Sequence, residues 1–397
     1  MAIKNIAGQP VRKENFFERL ALIRQFKNKI ESGSSILISA PRRVGKTSLM
    51  LHVHDKGMEG FYFIYLIPES VNSENEYFKR ILNKIFDAEF LTPMQKISKR
   101  TYQSIKDRME RISEIGKTIK FDKESKRIFY DEFIDIIKSI DLEGRRIIFM
   151  IDEFSQAIEN IIEDEGKRSA IHFLQTNREL RQGPQINQKI QFVYAGSIGL
   201  ENIVSRLNAV NLVNDLDPLK VTPLNHEEAH QLMQELTENK PFDLSKANRN
   251  CILDKIQWNI PFYFQLAVME ISNLLLDDEG ETKPGKKRVT KKVIDHAFSR
   301  MLEHRNHFEH WEKRLRKAFK KEDYTFAKEV LNLISDKENI ESVEIMNLAQ
   351  KFNIPGSYKD IVNSLVYDGY INNNDDPRIY RFNSPLLKMW WWKNVAH

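Results

Sequence analysis

The run Ala40-Pro41-Arg42-Arg43-Val44-Gly45-Lys46-Thr47-Ser48 has the composition of a phosphate-holding loop. It follows the pattern G-x-x-x-x-G-K-[ST], with Ala40 in place of the first glycine and Gly45, Lys46 and Thr47 at the other fixed positions. The chemistry explains those residue types. Backbone N–H groups of the loop converge on phosphate oxygens, and a helix starting behind them presents its positive end. Gly45 permits a turn and a close approach that a side chain would obstruct. Lys46 reaches the β- and γ-phosphates, and Thr47 offers its hydroxyl to Mg²⁺. Residues 40–48 therefore predict binding of ATP with Mg²⁺.

A second run, Ile147-Ile148-Phe149-Met150-Ile151, leads into Asp152-Glu153. An acid at the end of a buried strand beside a phosphate loop can hold Mg²⁺ through its water shell, which is the role expected of Asp152. Glu153 is placed to polarise an attacking water. The acid pair suits hydrolysis of ATP to ADP and phosphate better than transfer to a substrate hydroxyl, so an ATPase is expected rather than a kinase. Ser197, in Ala195-Gly196-Ser197-Ile198-Gly199, is a candidate γ-phosphate sensor; a plain strand-ending turn is the alternative. Arg178 and Arg181 are candidates to neutralise γ-phosphate charge, in cis or across a subunit contact, with solvated helix arginines as the alternative. Arg42 and Arg43 either contact phosphate, close on a partner, or are only basic surface.

These residues need elements to position them. Ser35-Ile36-Leu37-Ile38-Ser39 reads as a short buried strand, with a helix from Lys46 to about His54 and a second strand over residues 60–66. Strand, loop, helix, strand is a βαβ unit and implies a parallel sheet. Residues 147–151 and 190–195 supply further strands, all apolar as in a sheet covered on both faces, and the last is expected near residues 219–221. Residues 14–31 read as an amphipathic helix with Phe16, Phe17, Leu20, Ile23 and Phe26 on one face. Residues 74–140 read as a mostly helical insertion, polar from 94 to 126. The fold class expected is α/β, a P-loop NTPase parallel sheet flanked by helices. A helical lid and a C-terminal winged helix follow it. The divisions are 1–222 for the core, 223–320 for the lid and a basic linker, and 321–397 for the winged helix.

The bulk numbers fit that plan. The chain has 397 residues, 41% hydrophobic and 29% charged, which suits two or three globular domains. There is no run of about 18 apolar residues, so no membrane helix is expected. The N-terminus lacks a secretion pattern, and the single cysteine, Cys251, fits a reducing compartment, so a cytoplasmic location is expected. Net charge is +5, which permits nucleic-acid contact without arguing for it.

The order of residues 40–48, 147–153, Gly196-Ser197-Ile198-Gly199 and Ile260-Pro261-Phe262-Tyr263 resembles the prokaryotic "archaeal-type" ATPases. These belong to the STAND branch related to AAA+ proteins. Asn15-Phe16-Phe17-Glu18-Arg19 resembles that family's entry motif near the adenine, with Leu20 where Glu is usual. Phe382-Asn383-Ser384-Pro385-Leu386-Leu387-Lys388-Met389-Trp390-Trp391 resembles its closing segment. The resemblance implies that Lys46 and Thr47 bind phosphate and Mg²⁺, Asp152 binds Mg²⁺, Glu153 is the base and Ser197 the sensor. It also implies that Arg19 and Pro261 lie near the nucleotide. Asn259-Ile260 precedes Pro261 where the family usually has a glycine.

Residues 342–349 and 358–366 are spaced as a helix-turn-helix, and the strands flanking 372–377 as a wing. In a DNA complex Ser357, Tyr358, Lys359 and Asn363 would face the groove, with Arg378 on the wing. The basic stretch 283–321 is a second candidate DNA contact or else a solvated face. Asp360, Asp375 and Asp376 oppose phosphate, and winged helices also bind proteins. The leading expectation is an ATP-driven switch acting on a protein or nucleic-acid partner, possible as a homo-oligomer. A DNA-binding initiator is the alternative, as is an ATPase subunit of a multi-protein defence system. Trp390-Trp391-Trp392 either packs the last helix or forms a docking site. His304, His307 and His310, spaced by three, drift around a helix and make a poor metal site.

Overall fold

Short apolar runs cannot satisfy their own backbone groups, so they pair. In the computed structural model, which describes residues 3–87, 128–196, 199–277, 286–319, 321–374 and 376–397, four such runs and the more polar Asp217–Lys220 form one parallel sheet. The strands are β1 (Ile36–Ser39), β2 (Phe61–Leu66), β3 (Arg146–Ile151), β4 (Ile190–Ala195) and β5 (Asp217–Lys220), in the order β2-β3-β4-β1-β5. The register puts Ile38 opposite Ala195 and Ile151 opposite Tyr194, so the carboxyl ends of β1, β3 and β4 finish level. The fold is α/β, with helices flanking the sheet.

The chain divides into two compact units. One comprises Leu20–Ala40 and Lys46–Val221; the other comprises Met1–Arg19, Pro41–Gly45 and Thr222–His397. The first holds the sheet and helices α1 (Leu20–Glu31), α2 (Lys46–Lys56), α3 (Glu74–Ile85), α4 (Ile128–Ser139), α5 (Phe154–Glu165), α6 (Lys167–Gln182) and α7 (Leu200–Arg206). Every residue of β3 from Ile147 to Ile151 is buried, as parallel strands covered on both faces must be. An aromatic core links the layers. Phe149 stacks on Phe192, Phe192 on Tyr194, and Tyr77 meets Phe173 edge-to-face at 4.9 Å. Two hydroxyls inside this core are satisfied, since Tyr77 and Tyr194 both donate to Asn177 Oδ1.

The expected helix over 14–31 starts late. A single 3₁₀ turn spans Lys13–Asn15, and α1 begins at Leu20, whose side chain is 67% exposed. The buried stripe is Leu22, Ile23, Phe26 and Ile30, which keeps the helical period without Leu20. The polar stretch 94–126 lies outside the described residues.

In the second unit, α8 (His226–Thr237) and α9 (Lys246–Ile256) each open with a capping box, on Asn225/Glu228 and Ser245/Asn248. Next come α10 (Pro261–Asp277), α11 (Lys291–Glu303) and α12 (Glu309–Ala318). A parallel pair, β6 (Phe242–Asp243) with β7 (Lys287–Arg288), interrupts what the sequence suggests is an all-helical region. The remainder is α13 (Lys321–Asp336), β8 (Ile340–Glu341), α14 (Ser342–Lys351), α15 (Tyr358–Tyr367), β9 (Ile371–Asn372), β10 (Ile379–Phe382) and α16 (Pro385–Trp391). The three short strands form an antiparallel sheet in the order β8-β10-β9. Aromatic side chains join the early and late helices of this unit. Tyr370 donates its hydroxyl to the Trp311 carbonyl at 2.8 Å, and Phe308 stacks between Tyr263 and Trp390. Trp390 and Trp391 are buried, whereas Trp392 is half-exposed and donates to Asp336.

Candidate functional site

The carboxyl ends of β1 and β3 bring candidate residues together. β1 stops at Ser39, and α2 starts at Lys46, so its first turn faces the intervening loop. Lys46 is buried, and its ammonium donates to the Ala40 carbonyl at 3.0 Å, closing the loop across six residues. Thr47 donates its hydroxyl to Asp152 Oδ2 at 2.6 Å, although 105 residues separate them in the chain. β4 lies between β1 and β3, and the level strand ends allow the contact across it.

Asp152 is 2% exposed and takes two further donors, the Tyr65 hydroxyl at 3.0 Å and the Glu153 backbone N–H at 3.0 Å. A buried carboxylate held by hydroxyls and an amide, beside a threonine hydroxyl, is a hard-oxygen donor set that suits a small divalent cation with its waters. The chain's own residues therefore fit Mg²⁺, with Thr47 and Asp152 as its holders. Glu153 has a left-handed backbone, φ 55°, at the start of α5. A non-glycine residue there is strained, and such strain concentrates at functional positions.

The loop itself also bends through the left-handed region. Gly45 has φ 104° and Arg43 φ 64°. Among the described residues a Cβ on Gly45 would meet nothing within 4 Å, so backbone conformation rather than crowding calls for glycine here. Pro41–Gly45 packs with the second unit. The Arg43 guanidinium carbon lies 3.9 Å over the centre of the Phe262 ring. Burial, then the neighbouring Arg42 charge, lowers the Arg43 pKa to about 10.

The other sequence candidates fall elsewhere. Arg181 is buried and forks onto Asp215 at 2.7 and 2.8 Å, with a further bond to the Leu212 carbonyl. Arg178 donates to the Asn211 carbonyl. Both side chains are thus engaged with the segment before β5. Arg19 bonds the Thr222 carbonyl at 2.7 Å and Glu228 at 3.2 Å, tying the N-terminal segment to the start of α8. Pro261 opens α10, where proline costs no hydrogen bond. Ahead of it, Asn259 pairs with Leu224 through both backbone and side chain. Ser197 lies outside the described residues. Val44 and Ser48 are buried within the loop and first helical turn.

Two contributors were not legible beforehand. Tyr65, at the end of β2, signals nothing by type or spacing, and Phe262 appears in the sequence only as part of a resemblance. The three histidines split between elements: His304 caps α11, His307 ends a 3₁₀ turn, and His310 is in α12. Much of the basic stretch is paired, with Arg300 on Glu270, Lys313 on Glu309, Arg314 on Asp368 and Arg316 on Glu312. Among the described residues no helix is long and apolar enough to cross a membrane.

No family model and no curated protein matches the chain. Solved structures do. A Walker-type ATPase of Pyrococcus abyssi superposes with a TM-score of 0.61 at 14% identity, over 96% of this chain and 98% of that one. The ORC2 protein of Aeropyrum pernix, in its ADPNP-ADP complexes, superposes at 0.54 and 11% identity, over 95% of each chain. At such identities the likeness concerns the fold, and the fold is that of the P-loop NTPases.

Proposed function

We propose that this chain binds ATP with Mg²⁺ at residues 40–48 and Asp152, hydrolyses it, and uses the cycle as a switch. The observation that carries this reading is the 2.6 Å hydrogen bond from Thr47 to buried Asp152, which unites the two separate sequence motifs. Loop amides and Lys46 hold the β- and γ-phosphates. Glu153 orients and polarises the attacking water. Bound Mg²⁺ supplies charge neutralisation across the β- and γ-oxygens. Ser197 remains the proposed sensor of the γ-phosphate. Arg181, already forked onto Asp215, suits a structural role better than a catalytic one, and it would reach a γ-phosphate, in cis or across a subunit contact, only if that pair broke.

In this reading residues 223–320 act as the lid and 321–397 as a winged helix that meets a protein or nucleic-acid partner. The P-loop fold, shared with an ADPNP-bound archaeal protein, supports nucleotide as ligand. Lys46→Ala should weaken ATP binding by about 100-fold or more, through loss of charge-assisted bonds to phosphate. Glu153→Gln should leave binding intact and slow turnover by roughly 10²- to 10⁴-fold. Equilibrium titration with a fluorescent ATP analogue, followed by phosphate release, checks both. Full-affinity binding by Lys46→Ala would remove the site assignment.

A second reading, a DNA-binding initiator, is favoured by one observation: Ser357, Lys359 and Asn363 are all exposed at and along α15. Binding to duplex DNA that weakens steeply with salt would support it. Absence of binding at low salt would end it.

A further inference from the structure

Residues Pro41–Gly45 of the phosphate loop group with those of the helical unit. Arg43 meets an aromatic ring of that unit. Its backbone is left-handed, a conformation that a non-glycine residue keeps only when its surroundings over-determine it. Its guanidinium carbon lies 3.9 Å from the centre of the Phe262 ring, itself 3% exposed, and among the described residues its Nη1 is buried with no hydrogen-bond partner. The aromatic face is therefore a principal compensation for burying this cation.

The rest of the surround is consistent. Among the described residues both ring nitrogens of His310 are buried without hydrogen-bond partners. Burial and the charges of Arg43, Arg42, Arg314 and His307 hold its imidazole neutral, with a pKa lowered to about 2. His307 packs edge-on to Phe262 at 5.6 Å. At Pro41 the fit is close: a Cβ on Gly369 would lie 3.6 Å from the Pro41 Cβ and 2.8 Å from the Trp258 ring.

We infer that Phe262 is a positioning residue for nucleotide binding, holding Arg43 and with it the Pro41–Gly45 stretch of the phosphate loop. The inference rests on the ATP-binding reading and adds a regulator to it. The affinity of the loop is set by a ring at the start of α10, so any partner that displaces α10 would loosen the nucleotide. Arg43 acts here through its contact with the ring, a role distinct from the phosphate binding proposed for Lys46.

The test is a double-mutant cycle on ATP-analogue affinity with Phe262→Leu and Arg43→Gln in the full chain. Leucine keeps the apolar volume and removes the ring face. Each single change should weaken binding by roughly 5- to 30-fold. The double variant should be no weaker than the worse single one, and Phe262→Trp should retain near-normal affinity. Thermal unfolding of the same proteins separates loop positioning from global destabilisation. Unchanged affinity in folded Phe262→Leu, or strictly additive effects, would overturn the inference. Should Phe262→Leu fail to fold, Arg43→Gln decides, since undiminished affinity there is equally contrary. Wild-type protein that binds no ATP would sink the ATP-binding reading itself, and Lys46→Ala serves as the zero-binding control that tells the two failures apart.

Discussion

Asp152 is the residue where two distant stretches of sequence become one site. Its carboxylate accepts from Thr47, Tyr65 and the Glu153 amide, so its geometry is fixed before any ligand arrives. Preorganisation of this kind removes part of the cost of ordering a metal–phosphate complex. Gly45 is a second such point. With φ 104°, Gly45→Ala should cost about 1–3 kcal/mol of loop strain and lower ATP affinity, even though a methyl group there meets no neighbour. Binding measurements on Gly45→Ala check this, and unaltered affinity would mean the loop relaxes freely.

His310 makes a pH prediction. Its folded pKa lies at about 2, while an unfolded histidine titrates near the ordinary value of about 6.5. Between those values the unfolded chain holds the extra proton. Stability is therefore full above about pH 6.5 and falls as pH drops below it, by up to about 1.4 kcal/mol per pH unit. His310→Phe should flatten the decline between pH 6.5 and 5, leaving the smaller share from His307, whose pKa is also lowered, mainly by burial. Urea unfolding at several pH values reads it.

At the scale of elements, legibility follows length and period. β3 announces itself because five consecutive apolar residues ending in two acids have few other uses. α1 is visible by its period, but its start is not, because Leu20 is apolar yet exposed. Strands β6, β7 and β8 are invisible, since two-residue strands carry no pattern and are set by tertiary contacts, whereas β10, four residues long, is legible beside its turn. Arginine roles follow the same logic. The Arg316–Glu312 and Lys313–Glu309 pairs can be read from helical spacing. Arg181 with Asp215, Arg314 with Asp368, and Arg43 over Phe262 cannot, because the partners are 34, 54 and 219 positions away in the chain.

The element core also carries a stability prediction. Phe173 on α6 packs against Tyr77 and Phe154 with no exposed surface. Phe173→Ala should destabilise the protein by about 3–5 kcal/mol, through lost transfer energy and the cavity left behind. Denaturant midpoints with an unchanged slope would confirm it. A loss under about 1 kcal/mol would mean that the aromatic cluster collapses to fill the space.

For the molecule as a whole, a ligand that binds only the folded chain is linked to its stability. ATP at about 100 times its dissociation constant should then stabilise the chain by roughly 2.7 kcal/mol, and this gain should vanish in Lys46→Ala. The most direct test of the central claim is calorimetric titration of ATP into wild type and Asp152→Asn, with Mg²⁺ and with chelator. The account predicts that Mg²⁺ strengthens binding to wild type and does so far less in Asp152→Asn. Equal affinity for wild type in both conditions, or an undiminished Mg²⁺ effect in the variant, would contradict it.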